Sequence, residues 1–131
     1  MSDALNHADL ARELHDAERT GIQVDQFSRR YPAMTIADSY AIQHEWMKLK
    51  LAEGRTVVGH KIGLTSRAMQ QASQITEPDF GTLLDDMVLA DGSEIAASKF
   101  IVPRLEVEFA FILKQAIEGP NVTLFDVLNA T

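Results

Sequence analysis

The chain has 131 residues, 46% of them hydrophobic and 24% charged, which suits one globular domain with a sizeable core. Its net charge of −7 argues against a nucleic-acid surface and offers no polybasic patch to a membrane, though it is compatible with hard-cation binding. The absence of cysteine excludes disulfides, thiolate–zinc sites and cysteine nucleophiles; the N-terminus lacks a signal-peptide pattern and no apolar run reaches membrane-spanning length, so a soluble cytoplasmic protein is expected.

The first third predicts helices. From Ala8 to Thr20, Leu10, Leu14 and Ala17 share a face, and Gly21 is a stop signal. A loop is expected through Gln26–Pro32. Thr35 and Asp38 have capping-box spacing, with Asp in place of the usual Glu or Gln. Ile36, Tyr40, His44, Met47 and Leu51 then recur at helical spacing until Gly54.

After Gly54 the period changes to two. Thr56–Leu64 predicts a strand with Val58, His60, Ile62 and Leu64 on one face. Val57, Gly59, Lys61 and Gly63 lie on the other. Thr65 or Ser66 caps a short helix over Arg67–Gln71, and residues 72–79 form a loop ending in Glu77-Pro78-Asp79. Short strands are expected at Phe80–Leu84 and Met87–Leu89, and Asp91-Gly92 signals a hairpin. A further strand is expected from Leu105 to Lys114. Gly119-Pro120-Asn121 breaks it, and Thr123 and Asp126 open a last helix with no closing signal before Thr131.

The strand Leu105–Lys114 carries the most telling pattern. Glu106 and Glu108 fall on one face, while Leu105, Val107, Phe109 and Phe111 fall on the other. Two like charges beside a core are costly unless neutralised. The pair reads either as a solvated strand face begun by Arg104, or as oxygen ligands for Mg²⁺ or Mn²⁺. The four histidines lack zinc-ligand spacing. Lys61 between two glycines reads either as an anion partner or acid/base, or as an edge-strand lysine that discourages aggregation. Glu77 and Asp79 flank a proline in a rigid acidic loop that is either a source of a base or a simple turn. His60 is expected in the core, and Phe27 and Trp46 as packing residues. No P-loop, dinucleotide fingerprint or nucleophile elbow is present.

Three segments together are distinctive: Gly59-His60-Lys61-Ile62-Gly63-Leu64-Thr65-Ser66, Glu77-Pro78-Asp79-Phe80-Gly81, and Arg104-Leu105-Glu106-Val107-Glu108-Phe109-Ala110-Phe111. Their order and spacing resemble the fumarylacetoacetate hydrolase superfamily, in its 2-oxopent-4-enoate hydratase and 4-oxalocrotonate decarboxylase branch. The tail Gly119–Val127 is similar to members acting on the seven-carbon 2-oxohept-4-ene-1,7-dioate. The resemblance implies an α+β fold, in which N-terminal helices (residues 1–55) precede mixed β-sheet forming part of a β-roll (residues 56–131). It also implies that the chain stops before that catalytic domain is complete, since members are about twice as long and carry a third metal carboxylate on a later strand.

The implied activity is a Mg²⁺- or Mn²⁺-dependent hydratase of aromatic meta-cleavage catabolism, acting on a small 2-oxo acid in a homo-oligomer. Glu106 and Glu108 match the first two metal carboxylates, Lys61 the lysine on the substrate side of the site, Asp79 the acid in the loop before the next strand, and Thr65 and Ser66 the approach to the substrate carboxylate. Lys61 and Asp79 are then the expected acid/base pair. A decarboxylase of the same branch and an inactive fragment are the alternatives.

Overall fold

A computed structural model describes residues 5–131. Helix α1 (His7–Thr20) begins where the Asn6 side chain accepts hydrogen bonds from the Ala8 and Asp9 amides, and stops at Gly21, whose φ of 71° is left-handed. The segment expected as a loop contains one helical turn, α2 (Phe27–Arg30), too short to leave a periodic signal. Helix α3 (Ile36–Ala52) has the full capping box: Thr35 Oγ1 accepts from the Asp38 amide while the Asp38 carboxylate accepts from the Thr35 amide.

Helices α1 and α3 pack together around Leu10, Ala11 and Ile42, with Leu14, Phe27, Tyr31, Met34 and Trp46 closing over them. Phe27 and Trp46 are thus packing residues, as expected. Lys50 is 7% exposed; it pairs with Glu18 and its Nζ lies 5.9 Å from the Trp46 ring centre, which compensates a cation in a largely dry place. The stripe expected on α3 faces elsewhere. Tyr40, His44 and Met47 look toward the sheet, and Ile36 and Leu51 stay about half exposed. A helix packed on two sides has no single apolar stripe, so the α1-facing set was not legible as one.

The α1–α3 junction carries a pH-sensitive tie. The Thr35 hydroxyl and amide, then His7 at 2.9 Å, hold the Asp38 carboxyl at about 2, below its ordinary 3.8. Because the folded value is the lower one, this stabilisation is complete above the ordinary value and is lost as pH falls toward 2. Asp38→Asn should therefore lower the melting temperature at neutral pH. That deficit should vanish as pH falls from about 4 to 2 in a pH series of thermal melts.

Strands β1 (Val57–Gly63) and β2 (Asp79–Leu84) pair antiparallel, joined through α4 (Arg67–Ser73). The register sets His60 opposite Thr82, Lys61 opposite Gly81, Ile62 opposite Phe80 and Gly63 opposite Asp79. An irregularity between Val57 and Gly59 is a β-bulge, which moves Val57 onto the His60 face and breaks the expected alternation at Val58. The face bearing His60, Phe80 and Thr82 meets α3. Tyr40 stacks on Phe80 at 4.4 Å, and the Gln43 side-chain Nε2 donates to the Phe80 carbonyl.

Past Leu84 the expected strands are absent. In place of a strand at Met87–Leu89, Asp85–Met87 form a 3₁₀ turn. Asp85 is tied to Thr56 through both its amide and its carboxylate, and so turns the chain away at the end of the ladder. Asp91-Gly92 does form a tight turn, with the Ser93 amide on the Ala90 carbonyl, but no strands flank it. Residues 103–113 form no strand either. Leu105, Val107 and Phe109 are 102%, 103% and 96% exposed, because no strand among the described residues supplies the ladder that a strand needs. Among the described residues the sheet is two-stranded and antiparallel, in a chain of helices plus strands. The last helix, α5 (Leu124–Ala130), carries the expected capping box of Thr123 and Asp126. No described helix is long and apolar enough to cross a membrane.

Candidate active site

Antiparallel pairing puts directly opposed residues on the same face of the sheet. Gly59, Lys61 and Gly63 of β1 therefore share one face with Asp79, Gly81 and Leu83 of β2, opposite to the face on α3. The expected acid/base residues, Lys61 and Asp79, thus stand on one surface. They sit diagonally: Lys61 faces Gly81, and Asp79 faces Gly63. Asp79 opens β2 rather than ending a loop.

Glu106 joins this surface from a remote part of the chain. Its Oε2 lies 3.6 Å from Lys61 Nζ, with the two side chains 63% and 45% exposed. At that exposure the pair contributes about 0–1 kcal/mol to stability. Its interest lies in placement, since it brings a carboxylate of the acidic pair to the lysine across more than forty residues. Glu108 lies exposed two residues further on. Both carboxylates offer the oxygen donors that a hard cation takes, so the donor chemistry fits Mg²⁺ or Mn²⁺. They are a partial set: no group of three His, Asp or Glu gathers closely enough to hold a metal among the described residues.

Beyond β1 the chain turns sharply at Leu64, whose φ of 51° is left-handed; the Gln70 side-chain Nε2 donates to its carbonyl at 2.7 Å. Ser66 then caps α4 by accepting from the Met69 amide. Its hydroxyl proton stays available to a ligand oxygen. Thr65, beside it, is exposed.

His60 is not the core residue expected from its apolar neighbours. It is exposed, and with Tyr40, Gln43, His44, Met47, Phe80 and Thr82 it lines a cleft of about 290 Å³ between the sheet and α3. A two-stranded sheet has little surface with which to cover a side chain, and this cleft lies between His60 and α3. A larger cavity of about 420 Å³ lies against α5, lined by residues from Gln115 to Ala130, and includes none of the expected site residues. Gly81 closes the segment Glu77–Gly81, but its place opposite Lys61 was not legible in the sequence, and only the strand register discloses it.

No family model matches the chain. It is 57% identical over all 131 residues to 2-oxo-hept-4-ene-1,7-dioate hydratase of Escherichia coli, covering 49% of that protein. It is 38% identical to 2-hydroxyhexa-2,4-dienoate hydratase of Comamonas testosteroni, covering half of it. It is 37% identical over 93% of its length to a 4-oxalocrotonate decarboxylase of Pseudomonas, 46% of which it covers. Among solved structures, 4-oxalocrotonate decarboxylase from Pseudomonas putida G7, complexed with magnesium and adipate, superposes with a TM-score of 0.90. That match has 33% identity and spans 97% of this chain and 49% of the other. The chain spans about half the length of the curated relatives it matches. Sequence and backbone alike relate it to the 2-oxo-enoate hydratases and the 4-oxalocrotonate decarboxylases, as the three motifs had implied.

Proposed function

We propose that this chain carries the proton-transfer face and part of the metal site of a hydratase. It would add water to a 2-oxo-enoate of the 2-oxohept-4-ene-1,7-dioate type to give a 4-hydroxy-2-oxo acid. The observation that carries this reading is the meeting of Lys61, Asp79 and Glu106 on one sheet face, in a chain whose nearer kinship is to hydratases.

Glu106 and Glu108 would hold Mg²⁺ or Mn²⁺. When bound, the cation supplies Lewis acidity toward the 1-carboxylate and 2-oxo oxygens of the substrate. Lys61 Nζ and Asp79 Oδ exchange protons with the substrate: one leaves the 2-hydroxyl of the dienol and one arrives at the far end of the diene. This leaves a conjugated double bond, across which water adds, its oxygen to C4 and a proton to C3. The ammonium form of Lys61 also offsets negative charge that develops on the 2-oxygen. The Ser66 hydroxyl, with Thr65, orients the substrate carboxylate. A dioate needs a second cation for its far carboxylate, which Arg67 or Arg104 provides.

In the same reading residues 1–55 are the helical region, and residues 56–131 open a β-rich catalytic domain of β-roll type in a cytoplasmic homo-oligomer. The exposed apolar run Leu105–Phe109 supports this, since such a run is stable in water only once paired and covered. That run also favours the second reading, an inactive fragment. The 131-residue chain, assayed by itself with Mg²⁺, separates the two: turnover supports the enzyme, and no turnover with no cation uptake supports the fragment. The decarboxylase alternative is decided by incubation with Mg²⁺ and 2-hydroxyhepta-2,4-diene-1,7-dioate. The 4-hydroxy-2-oxo acid is expected without CO₂, and CO₂ release would replace the hydratase reading.

A further inference from the structure

The two side chains proposed to move protons each lie over a glycine of the opposite strand. Asp79 crosses Gly63 so closely that a Cβ there would overlap Asp79 Oδ1 and stand 3.2 Å from its Cγ. Lys61 crosses Gly81, where a Cβ would stand 3.3 Å from Lys61 Cγ and 3.8 Å from its Cδ. Gly59, on the same face of the same strand, is different: a Cβ there would meet only Leu83 Cδ1, at an ordinary 3.8 Å. None of these three glycines has a left-handed φ, so backbone conformation does not require them. Interior glycine weakens a strand, and where space allows, alanine is the more stable choice. What Gly63 and Gly81 provide is room for a side chain to lie flat against the sheet.

We propose that Gly63 and Gly81 are positioning residues, seats that hold Asp79 and Lys61 down on one face, so that both point at the same bound molecule. The overlap at Gly63 is severe, and an alanine there forces Asp79 to another rotamer. The contact at Gly81 is milder, and an alanine displaces Lys61 by a few tenths of an ångström. The inference rests on the roles proposed above for Lys61 and Asp79, but its geometric core can be tested apart from them.

The test is a pair of double-mutant cycles in the full chain. Gly63→Ala should lower the melting temperature when Asp79 is present, and leave it unchanged or raise it in an Asp79→Ala background. Gly59→Ala, the control, should not lower it in either. The Asp79 χ1 rotamer, read from side-chain NMR couplings, should change in Gly63→Ala and stay the same in Gly59→Ala. In the active protein, Gly63→Ala should lower kcat by about 10²-fold with KM little changed, and add nothing to Asp79→Ala. Gly81→Ala should act more weakly and chiefly through Lys61, since its other neighbour, Gln43 Nε2, would lie at an ordinary 3.9 Å. An equal loss of melting temperature in both Asp79 backgrounds, or an unchanged rotamer, would overturn the proposal. A changed rotamer with wild-type kcat in both Gly63→Ala and Asp79→Ala would support the seat and remove Asp79 from the reaction.

Discussion

Replacing Lys61 by methionine is expected to lower kcat for hydration by about 10²–10⁴-fold, the range of a lost acid/base group, with a much smaller change in KM. Methionine keeps the stem that lies over Gly81 and removes only the ammonium group. Stability should hardly change, because the ion pair with Glu106 is long and exposed. The thermal melt therefore serves as a control for folding. Lys61→Arg sharpens the result. Arginine keeps a permanent charge and cannot give up its proton at working pH, so it rescues a role in anion binding but not one in proton transfer. Failure of the arginine variant with normal KM assigns Lys61 to proton movement. Wild-type kcat in the methionine variant would take Lys61 out of the site and leave it as an edge-strand lysine.

Glu106→Gln is expected to remove metal-dependent activity and weaken Mg²⁺ or Mn²⁺ binding by more than the 10–100-fold typical of losing a group that merely supports a ligand. The amide keeps the shape of the carboxylate but not its charge, and hard cations favour carboxylate oxygen. Glu106 also sits 3.6 Å from Lys61 Nζ. Loss of its charge therefore frees the lysine as well as weakening the cation site. Calorimetric titration with the metal alone separates these effects, and Glu108→Gln should reproduce the loss of binding without touching the lysine pair. Unchanged metal titration in Glu106→Gln would remove it from the ligand set.

What was legible in the sequence was local. The capping boxes of Thr35 with Asp38 and Thr123 with Asp126 form as expected, because a cap is complete within four residues. Strand β1 shows the expected alternation from Gly59 to Gly63, which puts Lys61 between its glycines on one face. The alternation fails at Val58, where an extra residue enters one strand; a bulge is a property of two paired strands and has no signature in one. The run from Leu105 to Phe111 has a strand's pattern without a strand's structure, since pattern records which faces are apolar while hydrogen bonding needs a neighbour.

The candidate site divides along the same line. Residue type and spacing by themselves singled out a lysine among glycines, an acid after proline and two carboxylates two apart, each with a plain structural alternative; the family resemblance is what implied that they belong to one site. Only the tertiary structure decided who faces whom. The register of β1 on β2 set Lys61 over Gly81 and Asp79 over Gly63, and a contact between positions 61 and 106 brought the acidic pair to the lysine. The physical reason is range. Caps, turns and alternation are governed by neighbours within a few residues, whereas register and cross-chain contacts are selected by the packing of distant segments, which a local pattern does not encode.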